Sequence, residues 1–230
     1  MNDHDLADLC RLSYDDVPGE LSLGGSLGTK AYIVRRQGKP LVVVFRGTDD
    51  VTDWLYNLNA QKAKHHWGCV HQGFLGAWFA IKRQVLAEVE GGEVLFAGHS
   101  LGGALATLAA ADVPGQTRAV VTFGSPRVGD AEFVDEYAKT LAGVTRRYHY
   151  RFDPVPMVPA YMMGFRHVVN PRWHDGNALR DGISWAGAAR MAGGTVSKWV
   201  RQAFTAESFK AHLRELVGDH GMDKYVDVVK

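Results

Sequence analysis

Short apolar runs rich in β-branched residues alternate along the chain with longer stretches of helical periodicity. The runs predict six strands, at residues 31–36, 40–47, 93–99, 119–125, 146–152 and 165–169. Several of these runs are continuously apolar, as is typical of strands that are buried on both faces. Strands that alternate with helices in this way favour an α/β fold, in which crossover helices join parallel strands.

Helices are predicted in the segments between the strands. Four of them cover residues 5–14, 73–90, 100–113 and 130–142. Asp130 is placed to cap the N-terminus of the fourth helix. After residue 175 the pattern is helical again, and no linker composition separates this part of the chain. We therefore expect a single domain over residues 1–230, with a helical appendage at about 176–217.

The composition permits a globular core and carries no signature of nucleic-acid binding. Of the 230 residues, 46% are hydrophobic and 22% are charged, close to the averages of globular proteins. The formal net charge is +1, so we expect neither nucleic acid nor an anionic membrane as the main partner. No repeat and no low-complexity tract interrupts the sequence.

The two cysteines, Cys10 and Cys69, lie far apart and have no neighbours typical of a metal or redox site. We expect two buried thiols, with a single disulfide as the alternative. The first ten residues contain three acids and lack the basic-then-apolar pattern of a secretory signal. No apolar run reaches the length of a membrane span. These features indicate a cytoplasmic protein, or a secreted one if a leader has been removed.

One serine stands between two glycines where a predicted buried strand runs into a helix. The residues Gly98 to Gly102 form a G-x-S-x-G sequence, in which small neighbours allow a strained turn to expose the hydroxyl of Ser100. The amide of Leu101 then lies near a helix N-terminus, where negative charge is stabilised. The alternative is an ordinary junction with a capping serine. A phosphate-binding loop is disfavoured because no lysine follows the glycines.

A nucleophilic serine needs a histidine to take its proton and a carboxylate to orient that histidine. On an α/β sheet both partners come after the serine, the acid first. Asp153 follows a predicted strand directly and is the favoured acid, although it could also be a turn aspartate before proline. Asp175 competes for the role, whereas Asp130 is assigned to a helix cap.

Ten histidines are candidates for the base. His220 lies in a loop between glycines after the last long helix, and such a loop can return a side chain to the edge of the sheet. His167, within a predicted strand, is the reserve. His65 and His66 lie in a polar stretch and are expected to be solvated, while His99 belongs to the serine turn itself.

The oxyanion of an ester-hydrolysis intermediate needs a second amide donor besides that of Leu101. Such a donor comes from the loop after the strand that precedes the nucleophile strand. Gly47 lets the chain bend there, so Thr48 can present its N–H group. A plain β-turn, with Thr48 capping the next segment, is compatible with the same role.

Eight motifs follow one another between about residues 41 and 225: VVVFRGT, DWLYNL, VHQGF, AGHSLGGALATL, TFGSPRVGD, DPVPMVP, RHVV and DHGMDKY. In this order they resemble the class 3 lipases, the fungal-lipase-like family of α/β hydrolases. The chain lacks the leaders and disulfides of secreted fungal members, so we expect a bacterial-type member. Gly221 nevertheless stands where bacterial relatives carry a serine after the histidine.

The resemblance implies an α/β-hydrolase fold, with a mostly parallel central sheet, helices on both faces and a small helical lid. It also implies that Ser100 is the nucleophile, Asp153 the acid and His220 the base. The amides of Thr48 and Leu101 would form the oxyanion hole. No metal and no organic cofactor is implied, and His71 matches a position with a structural role.

The family's lid position falls at about residues 49–60. There Trp54, Leu55 and Leu58 share one apolar face of a short predicted helix, and we assign them tentatively to the lid and to substrate binding. A helix packed permanently on the core is the alternative. Large apolar residues of the appendage are expected to form an acyl-binding wall, core or a dimer face; they are Trp185, Met191, Trp199 and Phe204.

The resulting hypothesis is a serine carboxylic-ester hydrolase, with acylglycerols or other fatty-acyl esters as substrates. A short-chain, feruloyl-type or phospholipid-acyl esterase on the same triad is the alternative within enzymes. A catalytically silent binding protein of the hydrolase fold is the alternative outside them. The expected partners are a lipid or small ester and, transiently, a lipid interface; the oligomeric state stays open.

Overall fold

A mostly parallel sheet of eight strands forms the centre of the computed structural model, which describes residues 1–17, 19, 21–182 and 217–230. The strands in this part of the chain are β1 (Leu21–Gly24), β2 (Lys30–Val34), β3 (Leu41–Phe45), β4 (Lys62–His65), β5 (Gly68–His71), β6 (Val94–His99), β7 (Thr117–Phe123), β8 (Thr145–Tyr150), β9 (Pro171–His174) and β10 (Leu179–Asp181). The α-helices are α1 (Asp3–Leu12), α2 (Val51–Asn57), α3 (Gln72–Val89), α4 (Leu101–Asp112), α5 (Ala131–Thr140) and α6 (Met222–Val228).

The order of strands in the sheet is β1-β2-β3-β6-β7-β8-β9-β10. Neighbours from β3 to β9 run parallel, and the pairs at the two edges run antiparallel. Because the carboxyl ends of the parallel strands meet at one edge, the loops that follow β3, β6, β7 and β8 are brought together there. The structure thus confirms the predicted α/β class and its mainly parallel sheet.

Both faces of the sheet are covered by helices, as the continuous apolar runs predict. Alternate residues of a strand point to opposite faces. Val43 and Phe45 of β3 accordingly enter the core formed with α3, α4 and α5, whereas Val42 and Val44 enter the core formed with α1 and α6. This two-sided burial explains why the strand has no polar position among its central residues.

Helix α4 approaches the sheet so closely that two of its contacts exclude a side chain. A Cβ atom on Gly102 would lie 2.1 Å from the carbonyl oxygen of Phe45, and one on Gly98 would lie 2.2 Å from that of Gly102. Real Cβ atoms do not approach backbone so closely. The glycines of the serine motif therefore serve the packing of α4 against β3 and β6 as well as the turn itself.

Several predictions of secondary structure are corrected. Residues 165–169 do not form a strand; Arg166 makes one isolated bridge, and the strand predicted there is β9, at Pro171–His174. Short strands β1, β4, β5 and β10 were not predicted, because three- and four-residue segments carry too little periodicity. The first residues of the expected helical appendage are not helical, since residues 179–181 form β10. Most of the remaining appendage lies outside the described residues, including Trp185, Met191, Trp199 and Phe204.

The structure also bears on the two cysteines, on the cap of α5 and on membrane spans. Both cysteines are free, and Cys10 is buried while Cys69 is partly buried. Asp130 caps α5, because its carboxylate accepts a hydrogen bond of 3.1 Å from the amide of Phe133. Within the described ranges, no helix is long and apolar enough to cross a membrane.

The close packing of α4 makes a specific prediction about stability. Replacing Gly102 with alanine pushes the backbone of α4 away from that of β3. We therefore expect Gly102→Ala to lower the free energy of unfolding by about 3 kcal/mol or more. Gly76→Ala is the matched control: Gly76 also lies in a helix, but its added Cβ meets nothing within 4 Å. That variant should gain up to about 1 kcal/mol from helix propensity. Urea unfolding followed by circular dichroism measures both, and equal stabilities would contradict the packing argument.

Candidate active site

Ser100 occupies a strained turn between β6 and α4. Its backbone has φ 58° and ψ −129°, a conformation that residues other than glycine rarely adopt. The strain is held by neighbouring backbone: the Ser100 amide donates to the carbonyl of Phe123 at 3.0 Å, and its carbonyl accepts from Gly103 at 2.9 Å. The turn therefore has the geometry that the G-x-S-x-G spacing predicts.

The loop after β3 lies directly beside this serine. A Cβ atom on Gly47 would lie 2.8 Å from the carbonyl oxygen of His99 and 3.0 Å from the Cβ of Ser100. Thr48 follows Gly47, and Leu101 is the first residue of α4, where backbone N–H groups lack carbonyl partners within the helix. The structure thus brings the segments of both predicted oxyanion donors to the serine.

Asp153 and His220 form a hydrogen bond in the interior. His220 Nδ1 lies 2.7 Å from Asp153 Oδ2, and the side chains are 2% and 0% exposed, respectively. The other carboxylate oxygen, Oδ1, accepts a hydrogen bond of 2.9 Å from the amide of Val155. An ionised carboxylate only accepts, so the proton lies on Nδ1 and the His220 Nε2 atom is left as an acceptor. That is the tautomer a general base requires.

The hydroxyl of Ser100 and the Nε2 atom of His220 are both buried, and neither has a hydrogen-bond partner in the described part of the chain. Unpaired buried polar atoms are rare and call for an explanation. A serine hydroxyl and an imidazole acceptor left open at one sheet edge are the pair that a substrate would engage. In unliganded enzymes such hydrogen bonds are often loose and tighten with substrate.

Tyr225 in α6 belongs to the same cluster, and the sequence analysis did not include it. Its hydroxyl donates a hydrogen bond to Asp153 Oδ2, the oxygen that also accepts from His220, and accepts one from the amide of Tyr150 at 3.2 Å. Burial, and next to it the charge of Asp153, raises the pKa of Tyr225 well above its usual value. Tyr225 therefore stays a neutral donor that stabilises the carboxylate.

His99 supports the base from the other side. Its Nε2 atom donates to the carbonyl oxygen of His220 at 2.8 Å, so its Nδ1 atom accepts from the Tyr14 hydroxyl at 2.7 Å. The rings of His99 and His220 stack, with centroids 4.4 Å apart. Burial, reinforced by His220, lowers the pKa of His99 well below its usual value, so the ring is neutral. Its place next to the nucleophile was the only sequence signal of this role.

The competing residues lie elsewhere. Asp130 caps α5, and Asp175 accepts hydrogen bonds from Asn177 and Ala178 within a local turn. His167 Nε2 lies 2.7 Å from the carbonyl oxygen of Pro156, to which it donates. The structure gives none of these three a contact with Ser100. His71 caps α3 by accepting from Phe74, which agrees with the structural role expected for it.

His65 was expected to be solvated, and that expectation is wrong. Its side chain is only 4% exposed, and its Nε2 atom lies 3.6 Å from Asp112 Oδ1, as does the Nδ1 atom of His66. This trio is the kind of group that can bind a metal ion. However, Lys82 lies 2.9 Å from the same carboxylate, and His65 Nδ1 accepts from the amide of Trp67. The proton of His65 then lies on Nε2, which disfavours metal binding.

Of the predicted lid residues, Trp54 and Leu55 lie on α2 and Leu58 directly follows it. Residues of α2 line two clefts. The first, of about 380 Å³, is lined by Thr48, Val51, His99 and His220 among others. The second, of about 550 Å³, is lined by Thr48, Trp54 and Leu58 among others. Trp54 stacks on Phe74 with centroids 6.0 Å apart, and Leu55 is partly buried. Helix α2 therefore borders the candidate site on the side of Thr48, the residue of one predicted oxyanion donor.

Residues 42–163 match the family described as Lipase (class 3). This chain belongs to the class 3 lipase family. The matched range contains Ser100 and Asp153 but ends before His220, so the place of His220 depends on the geometry above.

Fungal members of this family are similar to the chain. It is 36% identical over 174 residues to the secreted mono- and diacylglycerol lipase 1 of Fusarium solani. This match covers 68% of the chain and 52% of the relative. It is 32% identical over 159 residues to the secreted mono- and diacylglycerol lipase A of Penicillium cyclopium, covering 63% and 52%. The chain thus spans about half the length of these relatives.

A solved structure supports the fold. The native Rhizomucor miehei lipase propeptide complex superimposes with a TM-score of 0.66 at 25% identity, covering 76% of this chain and 67% of that one. This likeness confirms the expected α/β-hydrolase fold. The bacterial-type membership expected from the sequence is not supported, because the relatives found are fungal.

The hydrogen bond between Asp153 and His220 depends on a glycine that the sequence did not single out. Gly124 has φ +57°, and a Cβ atom there would lie 2.8 Å from Asp153 Oδ2 and from His220 Nδ1. We expect Gly124→Ala to abolish or shift the far-downfield proton resonance of the His220 Nδ1–H group. Gly143→Ala, whose Cβ meets nothing within 4 Å, is the control. An unchanged resonance in Gly124→Ala would contradict this geometry.

Proposed function

We propose that the chain is a serine carboxylic-ester hydrolase that acts on acylglycerols or other fatty-acyl esters. The observation that carries the proposal is the buried Asp153–His220 hydrogen bond at the sheet edge where the strained turn holds Ser100. Family membership supports the reaction type. The names of the Fusarium and Penicillium relatives, both mono- and diacylglycerol lipases, support acylglycerols as the substrate class.

The proposed acylation uses Ser100, His220 and the two amides in turn. The Nε2 atom of His220 takes the proton of the Ser100 hydroxyl as its oxygen attacks the ester carbonyl. The carbonyl oxygen becomes an oxyanion and accepts hydrogen bonds from the amides of Thr48 and Leu101. When the intermediate collapses, the carbon–oxygen bond to the alcohol breaks and His220 returns the proton to the departing alcohol. An acyl ester of Ser100 remains.

Deacylation repeats these steps with water as the nucleophile. His220 takes a proton from water, the resulting hydroxide adds to the acyl carbonyl, and the Ser100 oxygen leaves with the proton from His220. Throughout, Asp153 stabilises the imidazolium, while Tyr225 and the amide of Val155 hold the carboxylate in place. Each oxyanion donor contributes on the order of 10²- to 10³-fold in rate.

We propose that α2 is the lid of this site. Ser100 is 0% exposed and His220 1% exposed, so an ester reaches them only when covering residues move. Helix α2 is short and borders the site, and Trp54 on the helix and Leu58 directly after it pack against the core formed with α3, α4 and α5. A lipid interface offers these side chains, together with Leu55, an alternative apolar environment. We therefore expect α2 to contact a lipid interface transiently.

Location is proposed from the relatives. Those from Fusarium solani and Penicillium cyclopium are named as secreted lipases, and they do not support the cytoplasmic location expected from the sequence. We propose the other expectation, that the protein is secreted. Two free cysteines are compatible with either location.

Hydrolysis of p-nitrophenyl esters tests the proposed activity. Ser100→Ala and His220→Ala should each lower kcat on the order of 10⁴-fold or more, because the triad acts as a unit. His66→Ala, a change at an exposed histidine, is the matched control and should retain full activity. His167→Ala tests the reserve base and should stay within about tenfold of wild type.

The outcomes separate the alternatives. Octanoate esters hydrolysed faster than acetate esters support a lipase, whereas the reverse order favours the short-chain esterase. No hydrolysis by the wild type would favour a silent binding protein. Full activity of His220→Ala with loss in His167→Ala would show that the base assignment is wrong.

A further inference from the structure

A third cleft, of about 630 Å³, lies between α5 and the segment that follows β8. Its polar lining includes three arginines and two histidines: Arg127, Arg147, His149, Arg166 and His167. We refer to it as the Arg147 cleft. Ser100 and His220 are not among the described residues that line it, and the mechanism above uses none of these five side chains. Its volume falls within the range of about 300–1,000 Å³ that is usual for small-molecule sites.

Arg147 is a buried cation without a counter-charge. The residue is 4% exposed, its Nε atom donates to the carbonyl of Val169 at 3.2 Å, and its Nη1 atom has no hydrogen-bond partner. Among the described residues, no carboxylate forms an ion pair with it. Burial lowers the pKa of Arg147 to about 9, so the group is still protonated at neutral pH. A buried charge of this kind is costly unless something pairs with it.

His149 adds a second open polar atom to the same cleft. It lies two residues after Arg147 on β8, so both side chains point to the same face of the sheet. It is 2% exposed, and its Nε2 atom has no hydrogen-bond partner within the described chain. Burial is the main cause that lowers the pKa of His149, to about 4, so the ring is neutral at neutral pH. The cleft thus holds a free cationic donor beside a free imidazole nitrogen.

The guanidinium groups of the other two arginines donate hydrogen bonds to backbone carbonyls. Arg127 Nη1 donates to the carbonyl oxygens of Pro159, at 2.8 Å, and Met157. Arg166 Nη1 donates to the carbonyl of Tyr161 at 2.8 Å, and its guanidinium lies over the Tyr161 ring. Neither arginine forms an ion pair with a carboxylate of the described residues. These two groups therefore add positive potential to the cleft without neutralising it.

The rest of the lining determines the shape of ligand that fits. Val134, Met157 and Tyr161 provide apolar wall, and Asp135 is the one carboxylate among the described lining residues, on an exposed position of α5. Three guanidinium groups against one exposed carboxylate favour an anion. Apolar wall around a charged end favours an anion that carries an apolar body.

We propose that the Arg147 cleft binds an organic oxyanion, a carboxylate or phosphate group attached to an apolar chain. The Arg147 guanidinium pairs with the oxyanion, because its planar fork matches two oxygens of either group. The apolar wall takes the chain, and the neutral ring of His149 lies beside the guanidinium without bringing a negative charge to the site. A fatty-acid anion and a phosphate monoester of a lipid share this chemistry.

Isothermal titration calorimetry on the full chain carrying Ser100→Ala tests this binding without hydrolysis. The probes are octanoate, octyl phosphate, inorganic phosphate and the neutral octan-1-ol. We expect one equivalent of octanoate or octyl phosphate to bind at least about tenfold more tightly than octan-1-ol. The tighter of the two identifies the carboxylate or the phosphate as the natural head group. Inorganic phosphate as tight as octyl phosphate would overturn the role of the apolar wall.

Variants assign the binding to this cleft. Adding Arg147→Met, which keeps much of the side-chain volume, should weaken the anion at least about tenfold. Adding Arg118→Gln, at an exposed arginine that pairs with Glu93, should change nothing and is the matched control. If Arg147→Met does not fold, Arg166→Gln should still weaken binding about threefold or more. Unchanged affinity in a folded Arg147→Met protein, or equal affinity for octanoate and octan-1-ol, would overturn the proposal.

Discussion

The close approach of helix α4 to the central sheet is the constraint on which the candidate site depends. Gly98 and Gly102 leave room only for hydrogen atoms between the backbones of β3, β6 and α4. At this separation the chain can leave β6 and enter α4 only through the turn that gives Ser100 a positive φ. The same contact places the end of β3, and with it Thr48, next to the start of α4. One packing requirement thus positions the Ser100 turn and the backbone segments of both predicted oxyanion donors.

The base and its support come from the two ends of the chain. Tyr14 follows α1, His220 lies just before α6, and Tyr225 lies within α6. Together these three residues contact His99 and Asp153 at the carboxyl edge of the sheet. The polar side-chain atoms of Tyr14, His99, Asp153 and Tyr225 all have partners, whereas the Ser100 hydroxyl and His220 Nε2 have none within the described chain. The two polar atoms that lack hydrogen bonds are therefore the ones that a bound substrate would engage.

Sequence reasoning could locate what depends on local pattern. The continuous apolar runs predicted β3 and β6, and the G-x-S-x-G spacing predicted the turn, because each follows from steric rules within a few residues. The strand at 165–169 was wrong because this segment makes only an isolated bridge, between Arg166 and Gly129, and the strand that pairs with β8 begins at Pro171. Tyr14 and Tyr225 could not be found, since their roles come from contacts more than 70 residues apart in sequence. His65 was misjudged because its polar neighbours conceal the packing of its ring on Phe133.

The central claim is that Ser100 is a nucleophile activated by His220. Covalent labelling with a fluorophosphonate, followed by mass spectrometry of the peptides, measures this reactivity without choosing a natural substrate. We expect one label per chain, on Ser100, with a labelling rate that falls about 10³-fold or more in His220→Ala. A label on another residue, or an unchanged rate in the folded His220→Ala protein, would contradict it.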